Sequence, residues 1–253
     1  MKINIKTLFF TFFAILLISI NAMADNYYIH DNYIGSDPIG SNYDGKDIVG
    51  TSESFDVHGI SLDIDRNKHE ISINILSNYF DNIGQYFTEL GDLFISSDGY
   101  NPQQPSSADN MNNGEDWEYA VVLNEHLANG GTFKLYEVID ENIITSYAPN
   151  NYIYRQYQEV QYKPGDNQSY LTSGNWFINS DLTTLSLVMA MPNDLWNKTI
   201  GFHWTMTCAN DVIEGSVESP PHAPEPATMF LVGSGLLGLA GIRKRVSRGK
   251  SQS

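Results

Sequence analysis

The sequence predicts an all-β protein, an antiparallel β-sandwich of jelly-roll or lectin-like kind, and three observations carry that reading. Apolar residues recur with a period of two: "HEISINIL" puts Ile71, Ile73 and Ile75 on one face and Glu70, Ser72 and Asn74 on the other. The alternating segments are separated by Gly, Asn, Asp or Pro, the residues that end strands and build turns. About ten such segments follow one another without a convincing amphipathic helix, which favours sheet packed on sheet.

Residues 25–50 are rich in Asn, Asp, Gly and Tyr, and read as an extended N-terminal arm with turns at "SDPIG" and "YDGKD". Residues 51–215 form the predicted sandwich. The period of two begins at Phe55 and is clearest in three places. These are "HEISINIL", "TTLSLVMAM" with Leu185, Leu187, Met189 and Met191 on one face, and "IGFHWTMT" with Ile200, Phe202, Trp204 and Met206. Trp204 is therefore expected in the core. Shorter strands are expected at "GDLFISS", "WEYAVVL", "GTFKLYEVI", "NIITSY", "QEVQY" and "NWFIN". The polar stretch Asn101–Asp116 reads as a long loop, and residues 216–223 as a Pro-rich stalk.

The two ends obey different rules. Lys2 and Lys6 precede the apolar run Leu8–Ile20, and Ala22-Met23-Ala24 supplies the small-x-small pattern of a signal peptidase site. Residues 1–24 are read as a secretory signal helix cut after Ala24, with an uncleaved anchor as the alternative. At the other end, Pro224-Glu225-Pro226 leads into the apolar run 228–242, and Arg243-Lys244-Arg245 follows. At about 1.5 Å per residue the run makes a helix of roughly 22 Å, a marginal span for a hydrocarbon core of about 30 Å. Basic residues stay on the cytoplasmic side, which places the body outside.

In the order and spacing of these three parts, residues 224–253 resemble the PEP-CTERM sorting signal. The resemblance implies an exosortase as processing partner, after signal peptidase, in a Gram-negative bacterium that makes exopolysaccharide. It also implies membrane contact through the C-terminal helix before processing. An ordinary single-span tail anchor is the alternative. "GDLFISSDGYNP", "WEYAVVL" and "HWTMTCANDVIEG" look like segments of exosortase-dependent surface proteins with an all-β ectodomain. That likeness, over Asp47–Gly215, implies fold and surface location and no biochemical activity.

Composition narrows the partners. Of 14 Lys and Arg, the signal holds two and the segment after Ile242 holds five, leaving seven against all 30 Asp and Glu. A surface this acidic is a poor partner for nucleic acid. Cys208 is the only cysteine, so no intrachain disulfide forms, and an inert buried thiol is expected.

Candidate chemistry is sparse. The six histidines lie far apart in sequence, and His203 reads as a solvent-side or hydrogen-bonded sheet residue. Asp116 and Glu118 would share a strand face about 7 Å apart, a separation compatible with glycoside hydrolysis. They lack the Glu-x-Asp-x-x-Glu order of laminarinase-like sandwiches. No cofactor is expected. Structural calcium is a candidate at the acidic turns of "SSDGYNP" and "CANDVIEG"; for Asp98 the partner is Asp109 or Asp116 from the long loop, since Asp92 is too far along the strand to share that ion. Tyr100, Trp117, Tyr119, Tyr152, Tyr154 and Tyr157 are candidates for a sugar-stacking platform. The leading expectation is a non-enzymatic surface or matrix protein acting by adhesion or polysaccharide association; the alternative is a secreted glycan-active hydrolase.

Overall fold

The computed structural model describes residues 24–33, 35, 46–146, 154–221 and 233–235. The chain divides into two compact units, Met1–Pro220 and Pro221–Ser253. The signal segment before Ala24 lies outside the described residues. So do Pro224, Glu225, Pro226, Arg243, Lys244, Arg245 and all of the apolar run except 233–235. No helix among the described residues is long and apolar enough to cross a membrane.

The first unit is all-β. Its strands are β1 (Asp25–His30), β2 (Val57–Asp65), β3 (Glu70–Ser77), β4 (Leu93–Ser96), β5 (Tyr119–Leu123) and β6 (Gly130–Glu137). These are followed by β7 (Ile143–Thr145), β8 (Glu159–Tyr162), β9 (Thr172–Ile178), β10 (Thr184–Ala190), β11 (Thr199–Thr205) and β12 (Val212–Glu218). One helical turn, α1 (Ser52–Phe55), precedes β2. Ten strands form a single antiparallel sheet in the order β1-β2-β3-β10-β9-β6-β5-β4-β11-β12, while β7 and β8 make a separate ribbon.

The antiparallel all-β expectation holds, but the sheet is continuous and nearly barrel-shaped, not divided into the two sheets of a sandwich. Its last strand, β12, returns against β1 and β2. Gly215 permits that approach, since a Cβ there would fall 2.5 Å from Ile29 Cγ2. Curling the sheet brings its two end strands, β1 and β12, against one another in place of the widely separated edges of a flat sheet.

Three boundaries move with this closure. Residues 25–30 belong to the sheet as β1, paired with β2 from Asp25↔Ile64 to His30↔Gly59, so the predicted arm is structural from its first residue. Its polar composition concealed a strand whose outward face meets water. The predicted stalk begins later, because Ser216–Glu218 complete β12 and Ser219 is buried. The long loop is packed: Met111 N–H donates to the Tyr157 carbonyl at 2.9 Å, and Asp109 is buried.

The interior is built by the period-two faces read from the sequence. Ile73 of β3, Leu62 of β2, Leu187 of β10 and Trp176 of β9 share one row across four strands, all buried. Ile200, Phe202, Trp204 and Met206 of β11 enter the same core. The two halves of the sheet differ on their outer side. β3 and β10 alternate buried with partly or fully exposed residues, whereas β4 is buried throughout and β11 nearly so. A second core of Phe94, Trp117, Ala120, Tyr136 and Tyr162 explains the difference. There the outer face of β4 and β5 is covered instead of wet.

Candidate functional site

Chemistry-bearing side chains gather beneath this second layer. His203 points outward from β11, opposite to Phe202 and Trp204, yet has no solvent exposure. Its ring lies 5.5 Å from the Trp117 ring and 6.0 Å from that of Phe94. Nε2 is 2.8 Å from the Glu159 carbonyl of β8, and Nδ1 is 3.0 Å from Glu214 Oε2 on the adjacent strand β12. A carbonyl can only accept, so Nε2 carries a hydrogen. Nδ1 then accepts from a protonated Glu214, or donates to an ionised one.

Burial favours the neutral arrangement. It holds the His203 pKa below its ordinary value and pushes the Glu214 carboxyl up to about 8, with Glu115 adding to the rise. Tyr100 donates to Glu214 Oε1 at 3.0 Å. Burial lifts Glu159 to about 7, opposed by His203. Burial and the Glu214 charge lift Asp109, from the long loop, to about 7. No hydrogen bond of ordinary geometry reaches either Asp109 oxygen, although Tyr33 and Glu214 lie beside it. Three buried carboxyl groups thus surround one imidazole.

A second acidic group lies where the N-terminal segment meets β12. Asp31, Asp56 and Asp211 each place one carboxylate oxygen within 4.8 Å of the others. Oxygen ligands at such spacing suit a hard cation. Asp211, however, already accepts from Val57 N–H at 2.6 Å and from its neighbour Val212 N–H at 2.9 Å. Burial, with the neighbouring carboxylates, raises Asp31 to about 9 and Asp211 to about 8. Arg155 opposes both shifts; it is fully buried and donates through Nη2 to the carbonyls of Lys46 and Asp47. These contacts tie the segment before α1 to the stretch that leads into β8.

The structure scatters the calcium residues expected from sequence. Asp98 is exposed in its turn, whereas Asp109 is buried in the His203 cluster and Asp116 is exposed. The residue that closes the Asp98 turn is Glu115, which accepts from Ser96 Oγ at 3.1 Å and from the Asn101 amide. Asp92 is a buried structural carboxylate. It accepts from Leu123 N–H and Tyr162 N–H, at 2.9 and 2.8 Å, and lies 2.8 Å from His126 Nε2. Glu118 accepts from Ser97 N–H at 2.5 Å, which ties it to the strand beside it while Asp116 remains in solvent.

The aromatic candidates also separate. Trp117 and Tyr119 are buried, Tyr100 and Tyr154 are half-buried, Tyr157 is exposed, and Tyr152 lies outside the described residues. Cys208 is buried as expected, and burial pushes its thiol up to about 12. Sequence gave no weight to Glu214, Glu159 or Asp31, which stand in unremarkable strand and turn contexts. The one available signal was Glu159 in "QEVQY", a carboxylate in a strand now found buried on both faces.

A different arrangement stands on the exposed half of the sheet. Tyr28, Ser61, Asn74, Ser186 and Phe177 are successive register partners on β1, β2, β3, β10 and β9. Ser186 Oγ donates to Asn74 Oδ1 at 2.7 Å. Tyr28 reaches over Gly59 with its hydroxyl end, donating to the His58 carbonyl at 3.0 Å. Two exposed rings therefore bracket a run of small polar side chains. Four strand spacings separate them, roughly 19 Å along the sheet.

No curated protein and no solved structure matches the chain significantly. The family model for the PEP-CTERM protein-sorting motif matches residues 222–245. That interval contains the Pro-Glu-Pro element, the apolar run and the Arg-Lys-Arg cluster. Such a motif is a substrate signal for exosortase and implies export to the cell envelope or surface. By this match the chain carries a PEP-CTERM protein-sorting motif at residues 222–245.

Proposed function

We propose that the protein is a non-enzymatic, exosortase-processed surface or extracellular-matrix component whose closed β-body associates with neutral polysaccharide. The observation that carries the binding half of this reading is the row Tyr28–Ser61–Asn74–Ser186–Phe177. Its hydroxyl and amide groups can exchange hydrogen bonds with sugar hydroxyls, while exposed rings offer faces to the apolar side of a pyranose. A body with so few basic residues disfavours an anionic polymer at low salt. The tie of Glu118 to the Ser97 amide, beside an exposed Asp116, supports binding over hydrolysis.

The test is a glycan array probed with the full chain in mild detergent, with and without chelator. Retention on neutral polysaccharides in both conditions, with no cleavage products, supports the reading. Release of reducing ends would favour the hydrolase, and retention on no glycan would end the polysaccharide assignment.

A further inference from the structure

The long loop Asn101–Asp116 is fastened to the body by groups that are costly to ionise together. Asp109 carries the fastening inward, where it meets Glu214 of β12 and Tyr33 from the segment after β1. Glu159 of β8 and His203 of β11 complete the wall, and Tyr100 and Glu115 approach Glu214 from the loop side. Asp98 and Glu118 in turn face Glu115. His203 is the sole basic side chain among these groups, so it can neutralise at most one of the three buried carboxylates. Other hydrogen bonds between the loop and the body include Met111 N–H to the Tyr157 carbonyl, Gln158 Nε2–H to the Asp109 carbonyl at 3.0 Å, and Ser96 Oγ of β4 to Glu115 Oε1 at 3.1 Å.

We propose that Asp109, Glu159 and Glu214 around His203 form a proton-operated latch, which holds the loop 101–116 against β11 and β12 and frees it as pH rises. The loop is the part that moves because Asp109 can regain water by swinging outward, whereas Glu159 and Glu214 are fixed in strands. Opening bares Trp117 and Tyr100, which now pack against Gly201 of β11.

The direction follows from proton linkage. Groups whose pKa is raised in the closed state bind more protons there than when exposed. The carboxyl contribution to the closed state is therefore fully present below the ordinary carboxylate range near pH 4 and declines from there, to be lost as pH climbs through 7 to 8. His203, held below its ordinary value, acts in the opposite sense and offsets one proton below about pH 6.5. Over that window the opening constant rises about tenfold per pH unit for each proton released, then levels off.

Hydrogen exchange on the full chain in mild detergent, corrected for the intrinsic pH dependence of amide exchange, tests the latch. The expected result is protection at Met111 and its loop neighbours that falls between pH 5 and 8, while β10 stays protected. Asp109→Asn and Glu214→Gln, each removing one ionisable group, should flatten that pH dependence. Loop protection independent of pH in the parent protein would overturn the proposal, and that measurement needs no variant. Equal loss of protection in β10 would overturn it too, by showing global unfolding. So would an unchanged pH dependence in both variants.

Discussion

His203 and Glu214 face each other across adjacent strands, Nδ1 to Oε2 at 3.0 Å, with neither side chain more than marginally exposed. The pair holds one proton between the two residues, and removing either partner strands the other in the interior. His203→Ala leaves Glu214 and the Glu159 carbonyl without their ring partner, each a loss on the order of 1–3 kcal/mol. Trp204→Ala, on the opposite face of the same strand, should cost about 3–5 kcal/mol through its cavity. Urea titration of both variants should therefore show two severe losses. A near-neutral His203→Ala would mean that the outer face of β11 is wet.

Cys208 should be silent in the native state. Its thiol is buried and pushed up to about 12, so almost no thiolate is present at pH 8. Iodoacetamide at pH 8 should leave the folded chain unlabelled and modify it fully in urea. Rapid labelling without denaturant would show that the segment around Cys208 opens.

The period of two made the strands legible, because one face of β3, β10 and β11 is apolar at alternate positions whatever the topology. Closure of the sheet was not legible. It depends on β12 reaching β1, and the residue that allows it, Gly215, looks like any turn glycine in sequence. His203 is the hydrogen-bonded sheet residue that the alternation allowed, and its burial was not legible for a related reason. Alternation assigns it correctly to the outer face, but only the distant ribbon of β7 and β8 with the loop 101–116 makes that face dry. The carboxylates of the candidate site were equally hidden, since Asp109, Glu159 and Glu214 come together from three elements far apart in the chain. The sorting tail was readable because its information is linear.

Calcium should act on this protein as a generic screening ion. The Asp31–Asp56–Asp211 group has the spacing for a cation, but Asp211 is committed to two backbone amides, and protons compete at the raised carboxyls. Millimolar calcium should raise Tm no more than magnesium, or than sodium chloride of equal ionic strength. A calcium-selective rise abolished by Asp56→Asn would overturn this expectation. Asp98→Asn, at an exposed turn, should change stability by less than about 0.5 kcal/mol.

Phe177 is a recognition residue in this account and contributes little to the fold. Its ring is 56% exposed, so Phe177→Ser should alter stability within about 0.5 kcal/mol. Retention on a neutral polysaccharide column should fall at least about tenfold, which corresponds to about 1.4 kcal/mol of binding. Tyr157→Ser, at an exposed tyrosine outside the row, is the control and should leave retention unchanged. Equal effects at both positions would assign the binding to general aromatic exposure.

The central claim is that the tail is a removable address for surface delivery, and mass spectrometry of the surface-associated protein tests it most directly. The mature form should begin at Asp25, the first residue of β1, and should yield no peptides from Arg243 to Ser253. Recovery of those C-terminal peptides from surface material would contradict sorting by exosortase and leave residues 228–242 as an ordinary anchor.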